Sequence, residues 1–479
     1  MNFRRWVVFT FLVHALVVAV DKGGGLILYL LTANQPQEHG RSGVAASLPF
    51  ILGAVANLGL ATSLVYFVRR GKVSAQVAFE TSLTVALVWG GAVAGAALLF
   101  CLYAMPWIDP EWQLDWFGVL PICLVVPLLL VASYANSTQL ATERIKDYGV
   151  VHVATSVGFL PAFFALFYWL GGSVTEGDVP LAVAWGRLVS TLAIALLSLW
   201  MVRKVVTVRA RVDRGYLGEA LRYGWRANLT STLTYLNHRL DLVVLGFVYA
   251  TARFVDGMDD EAVAAVKNLA MTQVAFYSMA VTWAELVWHF PEAMRDLFFS
   301  KVAGSSHEQA RQLTPVLSRL GLLISLLGAV AIVLLVDPIM GTVTWLAGKD
   351  SSTWYGGWSE PVGECLWLLV PGTVGFTVSK ILQADLAARD RLQTCVNAQV
   401  MVLVVMLGLD VWLVPTHGAQ GAAIASTVAY LLGTVWTLAA YSMSTGTSAW
   451  RCLVVHAVDF RYIREITAAV IGKLRRNKS

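Results

Sequence analysis

The feature that most narrows what this chain can fold into is a recurrence of long apolar runs. An α-helix needs roughly 20 apolar residues to cross a hydrocarbon core. Twelve stretches reach that length, at approximately 7–33, 44–68, 77–104, 117–142, 150–171, 180–202, 227–249, 265–299, 313–336, 362–387, 395–415 and 418–442. Inside lipid a helix satisfies all of its own backbone groups, so repeated runs of this length predict an all-α, polytopic membrane protein. Charge agrees: 14% of the 479 residues are Asp, Glu, Lys or Arg, against about 25% in soluble domains. The first run has no small-residue cleavage site behind it and reads as a retained helix. The five cysteines follow no metal-like spacing and read as small apolar core residues.

Loop charge sets the expected orientation. With the N-terminus inside, the inner segments hold Arg4, Arg5, Arg69, Arg70, Lys72, Arg144, Lys146, Arg203 and Lys204, and the rest of the basic loops. Only Arg41, Arg253 and Lys349 fall outside, together with the acidic loop residues Asp109, Glu111, Asp115, Asp256, Asp259, Asp260 and Glu261. Both termini are then cytoplasmic. The basic stretch 202–226 predicts an amphipathic helix on anionic lipid, with Leu217, Ala220, Leu221 and Gly224 toward the membrane. The net charge of +5 therefore belongs to topology, and no nucleic-acid partner is expected.

The runs divide six and six at that linker. The expected organisation is an N-terminal lobe over 1–204, a linker over 205–226, a C-terminal lobe over 227–442 and an amphipathic basic tail over 443–479. An even number of spans per half predicts a parallel repeat. Charge placement supports it: Asp21 lies about 14 residues into the first run, and Arg239 and Asp241 about 12–14 residues into the seventh, roughly 18–21 Å deep in both cases.

A charge at the bilayer centre costs at least ~2.5–3.5 kcal/mol, so it faces protein or water. In NLTSTLTYLNHRLDLVVLGF (228–247) only the stripe Leu229, Leu233, Leu236 and Leu240 suits lipid. The rest of this helix predicts a wet cavity or polar interface. Lys22, Arg187, Arg239 and Lys380 come from four runs in both halves and would converge if the halves face each other. A cationic cavity of that kind suits an anionic substrate such as a phosphate ester. The bland alternative is a local pair, Asp21 with Lys22 or Arg239 with Asp241, that only makes insertion tolerable. Lys267, Arg295 and Asp385 near run ends are expected to snorkel, and Asp410 to be structural. Glu285, His289 and Glu292 at i, i+4 and i+7 lack a second ligand cluster, so a proton or cation relay is the better expectation and no metal is assigned. Gly23, Gly24 and Gly25 beside Lys22 suit either close helix packing or a bendable point. No phosphate loop, dinucleotide fingerprint or HExxH is present, and no cofactor is expected.

Four segments resemble the polysaccharide or O-antigen flippases of the multidrug/oligosaccharidyl-lipid/polysaccharide (MOP) exporter superfamily. They are SLPFILGAVANLGLATSLVYFVRRGK (47–72), NHRLDLVVLGF (237–247), HFPEAMRDLFFSKVAG (289–304) and VPTHGAQGAAIASTVAYLLG (414–433). The resemblance covers nearly the whole chain. It implies two six-helix lobes around a central cavity and alternating access across the bacterial inner membrane. The implied substrate is an undecaprenyl-diphosphate-linked oligosaccharide, carried outward with proton or cation coupling, and polysaccharide synthesis proteins are the expected partners. Lys22, Arg187, Arg239 and Lys380 would hold the diphosphate and sugar, and Asp21, Asp241 or Glu285 would take the coupling proton. A drug exporter of the same superfamily would need an aromatic, acidic cavity. A membrane polymerase or ligase enzyme would need Arg or His in a large outer loop, whereas 337–361, the longest expected here, has one Lys and neither of these. Its Trp345, Trp354, Tyr355 and Trp358 are expected in an interfacial aromatic belt.

Overall fold

The computed structural model describes residues 17–18, 20, 22–32, 34–104, 116–173, 178–255, 257–288, 307–346, 356–389 and 391–454, and all regular structure among them is helical. Helix α1 includes residues 22–32. It is followed by α2 (Pro36–Ala56), α3 (Leu60–Arg69), α4 (Ala75–Leu99), α5 (Trp116–Ala141), α6 (Ile145–Val157), α7 (Phe159–Leu170) and α8 (Asp178–Val202). The second half contains α9 (Arg214–Thr251), α10 (Asp260–Ala284), α11 (His307–Leu346), α12 (Gly356–Ala388), α13 (Leu392–Thr445) and the short α14 (Trp450–Leu453).

Seven described helical segments are long and apolar enough to span a membrane, and the pair α2–α3, bent by 50°, makes an eighth. One of them, α13, is a hairpin of two spans. Gly418 has φ 54° and ψ −128°, a conformation that breaks the helix and is open to Gly because it lacks a Cβ. Gly433 then meets Val402 across the turn, which fits two antiparallel arms of similar length. Helices α9 and α10 are 38 and 25 residues long and fall outside the apolar set because of their polar faces. The molecule is a polytopic all-α membrane protein.

The bend between α2 and α3 shows how a broken span survives in lipid, where freed backbone groups must find new partners. Leu58 and Gly59 take positive φ values of 56° and 75°. Three donors from other helices serve the carbonyls at the bend. Thr232 Oγ1 donates to Ala54 O at 2.9 Å, Trp89 Nε1 to Ala56 O at 3.2 Å and Tyr134 Oη to Asn57 O at 2.8 Å. A Cβ on Gly59 would lie 2.1 Å from Gly224 O, so the bend is pressed directly against the backbone of α9.

That contact corrects one expectation. The stretch expected to lie on lipid is the start of α9, continuous with the seventh span, and it packs on the first half. Ala220 is fully buried with Tyr216 in the first-half core, Leu217 and Leu221 pack against the same core, and Gly224 meets Gly59. Ser63 Oγ donates to Ala220 O at 2.7 Å. Small residues at 220 and 224 suit close helix approach as well as they suit a membrane-facing stripe, and here the α3 backbone takes that face. The tail from residue 455 lies outside the described residues. Its start packs inward, with Cys452 fully buried beside Leu382 and Tyr441, and Arg319 Nη1 donating to Arg451 O at 2.7 Å.

The long loop expected over 337–361 is largely helix: α11 runs to Leu346 and α12 starts at Gly356, while 347–355, with Trp354 and Tyr355, lie outside the described residues. Trp345 is exposed, as a belt residue should be. Trp358 is buried and sits edge-on to Tyr29, His39 and Phe276, with ring centroids 5.1–5.4 Å apart. Tyr29 and His39 come from α1 and α2, so Trp358 joins the two halves at the face opposite the basic loops. On that same side a Cβ on Gly40 would fall 2.0 Å from Met271 O, Gly43 faces Ser278, and Arg41 Nη2 donates to Asn268 Oδ1 at 2.8 Å. The halves are pressed together here.

Candidate functional site

Toward the middle of the seam the packing becomes polar. Lys22 on α1 reaches across to the second half, where its Nζ donates to Glu285 Oε2 at 3.0 Å. Arg239 on α9 approaches the same carboxylate from the other side, with Nη2 3.1 Å from Oε1 and 3.3 Å from Oε2. Side-chain exposure is 20% for Lys22, 30% for Arg239 and 8% for Glu285. The cations thus stand nearer the open side of the seam and the carboxylate behind them. Two cations share one carboxylate, so these three side chains together carry a net charge of +1.

Local structure explains these positions. Gly24 and Gly25 lie within a regular helix and face Leu160 of α7 on one side and Thr282 of α10 on the other, where an added Cβ would make ordinary contacts at 3.4 and 4.0 Å. Helix α1 thus touches both halves at this turn. Glu285 caps α10: its N–H donates to Val281 O at 2.8 Å, and its own carbonyl accepts from Trp288 N at 3.1 Å, a tighter i to i+3 bond at the helix end. Asp21, His289 and Glu292 lie outside the described residues.

Arg187 of α8 stacks over Phe159 at 4.1 Å and Phe50 at 5.2 Å. Phe50 lies 6.3 Å from the Tyr235 ring, and the Tyr235 hydroxyl is within interaction range of Arg239, Glu285 and Arg187. Three of the four expected cations therefore line one seam. Lys380 does not join them. It is 5% exposed, with its ammonium 4.1 Å from the Trp288 ring and 5.7 Å from Phe376, inside an aromatic cluster of the second half that also holds His238 and Tyr430.

The local pair Arg239–Asp241 is not the one formed. Asp241 turns inward, where its Oδ2 accepts from Tyr277 Oη at 2.5 Å and its Oδ1 from Leu242 N at 2.8 Å. Tyr277 Oη also lies 2.9 Å from Ser426 Oγ. On a helix, i and i+2 point to different faces, so Arg239 and Asp241 serve opposite neighbours. Asp385 does not snorkel: it is fully buried, with Oδ2 2.6 Å from Arg389 Nε and Oδ1 3.0 Å from Thr314 Oγ1.

Behind the triad runs a ladder of neutral groups that sequence reading missed. Asn237 Nδ2 donates to Gln399 Oε1 at 2.7 Å, Gln399 Nε2 to Gln383 Oε1 at 2.9 Å and Gln383 Nε2 to Ser379 Oγ at 2.9 Å. The ladder ties α9, α13 and α12 into one unit that holds Arg239 in register. Its traces in the sequence are Asn237, within the run read as polar, and two isolated amides in apolar runs, Gln383 and Gln399.

With this geometry in view, comparison with known proteins gives the following. Residues 34–255 match the family described as polysaccharide biosynthesis protein. No curated protein matches the chain. Among solved structures, an inward-facing multidrug resistance MATE family transporter of the MOP superfamily superimposes with a TM-score of 0.64 at 13% identity, covering 92% of this chain and 98% of that one. The lipid II flippase MurJ in an inward closed conformation gives 0.66 at 13% identity, over 92% and 87%. An outward-facing MATE transporter gives 0.58 at 15%, over 93% and 96%. At such identities these likenesses establish the fold.

Proposed function

For a chain that has the MOP exporter fold and matches the polysaccharide biosynthesis family over residues 34–255, we propose a flippase. Its substrate would be an undecaprenyl-diphosphate-linked oligosaccharide, moved from the inner to the outer leaflet of the bacterial inner membrane. The observation that carries this reading is the convergence of Lys22 and Arg239, from opposite halves, in a seam that Arg187 also lines. Ammonium and guanidinium groups at this depth are costly unless they meet an anion, and both bind phosphate oxygens well. The diphosphate would sit in the seam while the lipid tail stays between the halves in the bilayer. The polysaccharide family match favours a sugar-bearing cargo, and the shared fold with a lipid II flippase favours a lipid-linked one.

In this reading the basic loops and both termini face the cytoplasm, and the face closed around Trp358 points outward. The structure would then correspond to a state awaiting cargo from inside. Asp241 and Glu285, with Asp21, are the groups through which a proton or cation would bias the exchange between inward-open and outward-open states. Lys380, buried behind Trp288, would act on the second half's packing and not on the sugar.

The test is reconstitution in liposomes with a fluorescent undecaprenyl-diphosphate oligosaccharide, followed by its exposure to a reagent outside. Wild type is compared with Arg239→Ala and Lys22→Ala at matched, folded levels. Protein-dependent exposure that falls at least tenfold in both variants is the expected result. Exposure that survives both would return these cations to structural roles. No exposure under any imposed gradient would overturn the flippase itself.

A further inference from the structure

Glu285 fills the place that an anionic ligand of Lys22 and Arg239 would take. Its two oxygens lie 3.0–3.3 Å from an ammonium of the first half and a guanidinium of the second. Phosphate oxygens would make the same charge-assisted bonds to the same donors. We infer that Glu285 is an internal stand-in for the cargo's diphosphate: it occupies the cationic site when empty and is displaced when the diphosphate binds. The inference rests on the flippase reading above and assigns to that site its mode of loading.

Three observations favour displacement over a fixed counter-ion. Glu285 lies behind the cations and is the least exposed of the three, so a ligand entering the seam meets Lys22 and Arg239 first. A single carboxylate faces two cations, and a diphosphate brings more charge and more oxygens to the same pair. Asp241, the nearest carboxylate in sequence to Arg239, is held by Tyr277 and the Leu242 amide, so it does not recapture the guanidinium when Glu285 leaves.

Displacement has a mechanical result. The Lys22–Glu285 pair links α1 to α10, and so links the halves at mid-depth. A diphosphate that takes over both cations replaces that direct link with one through the cargo, so the halves are then joined at mid-depth only by a group that leaves with the substrate.

Binding of undecaprenyl diphosphate to the full-length protein in nanodiscs tests this, with undecaprenol as the control for the tail alone. Glu285→Gln removes the internal competitor and is expected to bind the diphosphate at least tenfold more tightly while flipping it more slowly. Adding Lys22→Met should return affinity to the wild-type value or below. Glu285→Asp keeps the charge on a shorter stem and should shift affinity the same way by less, which covers failure of the Gln variant to fold. Wild-type or weaker affinity in both Glu285 variants, with binding still lost in Arg239→Ala, would overturn displacement and leave the flippase reading standing. Absence of diphosphate-dependent binding in wild type and all variants would overturn both.

Discussion

At the scale of single residues, the seam is built by side chains that arrive from distant helices: Lys22 and Arg239 meet on Glu285, and Asn237 meets Gln399 behind them. Hydropathy marks Lys22, Arg239, Asp241 and Glu285 because a charge inside an apolar run stands out. Pairing depends on which helix faces bring residues together across 263 positions for Lys22 and Glu285, and 46 for Arg239 and Glu285. The nearest opposite charge in sequence was therefore the wrong guide for Arg239. Neutral amides are harder still, since Asn and Gln in a polar run look like ordinary cavity lining. The Asn237–Gln399 bond is fully buried, and removing one partner of a buried bond costs about 1–3 kcal/mol. Asn237→Leu should accordingly lower the thermal unfolding midpoint of the detergent-solubilised protein by several degrees, read from intrinsic fluorescence. It should also reduce transport by misplacing Arg239 two residues on. A Gln399→Leu variant should behave alike, and the double variant should lose clearly less than the sum of the two; full additivity would mean the amides act separately.

At the scale of elements, the spans themselves follow from hydropathy, and what escaped sequence reading is where they bend and join. The break after Ala56 carries no proline at the break itself; it is set by Leu58 and Gly59 at positive φ and by donors from α4, α5 and α9. The start of α9 looked like a surface helix because basic residues alternate with a short apolar stripe, and only contact with α3 shows that the stripe is core. These observations rank the sensitivity of the bend. Tyr134→Phe deletes one hydrogen bond to the bend and should cost about 1 kcal/mol. Gly59→Ala meets the Gly224 carbonyl at 2.1 Å in a positive-φ conformation, so both sterics and backbone oppose it. Its destabilisation should exceed that of Tyr134→Phe, measured as the fraction remaining monodisperse after a heating series. Equal loss in the two variants would mean the bend relaxes away from α9.

At the scale of the whole molecule, the exchange between inward-open and outward-open states proposed above would depend on how firmly the two halves meet at the face of Trp358. Hydropathy carries no trace of this contact: Trp358 looks like a belt tryptophan, and Gly40 and Gly43 look like ordinary small residues near a helix start. In the structure Gly40 lets α2 approach the α10 backbone so closely that any side chain would strike Met271 O, and Gly43 faces Ser278 one to two turns further along. Gly40→Leu drives a wedge into that contact while leaving the triad at mid-depth untouched. A shift from a closed to an open seam needs only a few kcal/mol of differential stability, and overpacking a close helix contact supplies typically 1–3 kcal/mol. A cysteine introduced as Ser278→Cys reports the result. In the otherwise wild-type protein it should react slowly with a membrane-impermeant maleimide added outside. In the Gly40→Leu background it should react at least tenfold faster, and flipping should slow because the closed state becomes harder to reach. Labelling only from the cytoplasmic side would reverse the assigned orientation, and unchanged protection would mean that Trp358 and its ring partners close this face without the α2–α10 contact.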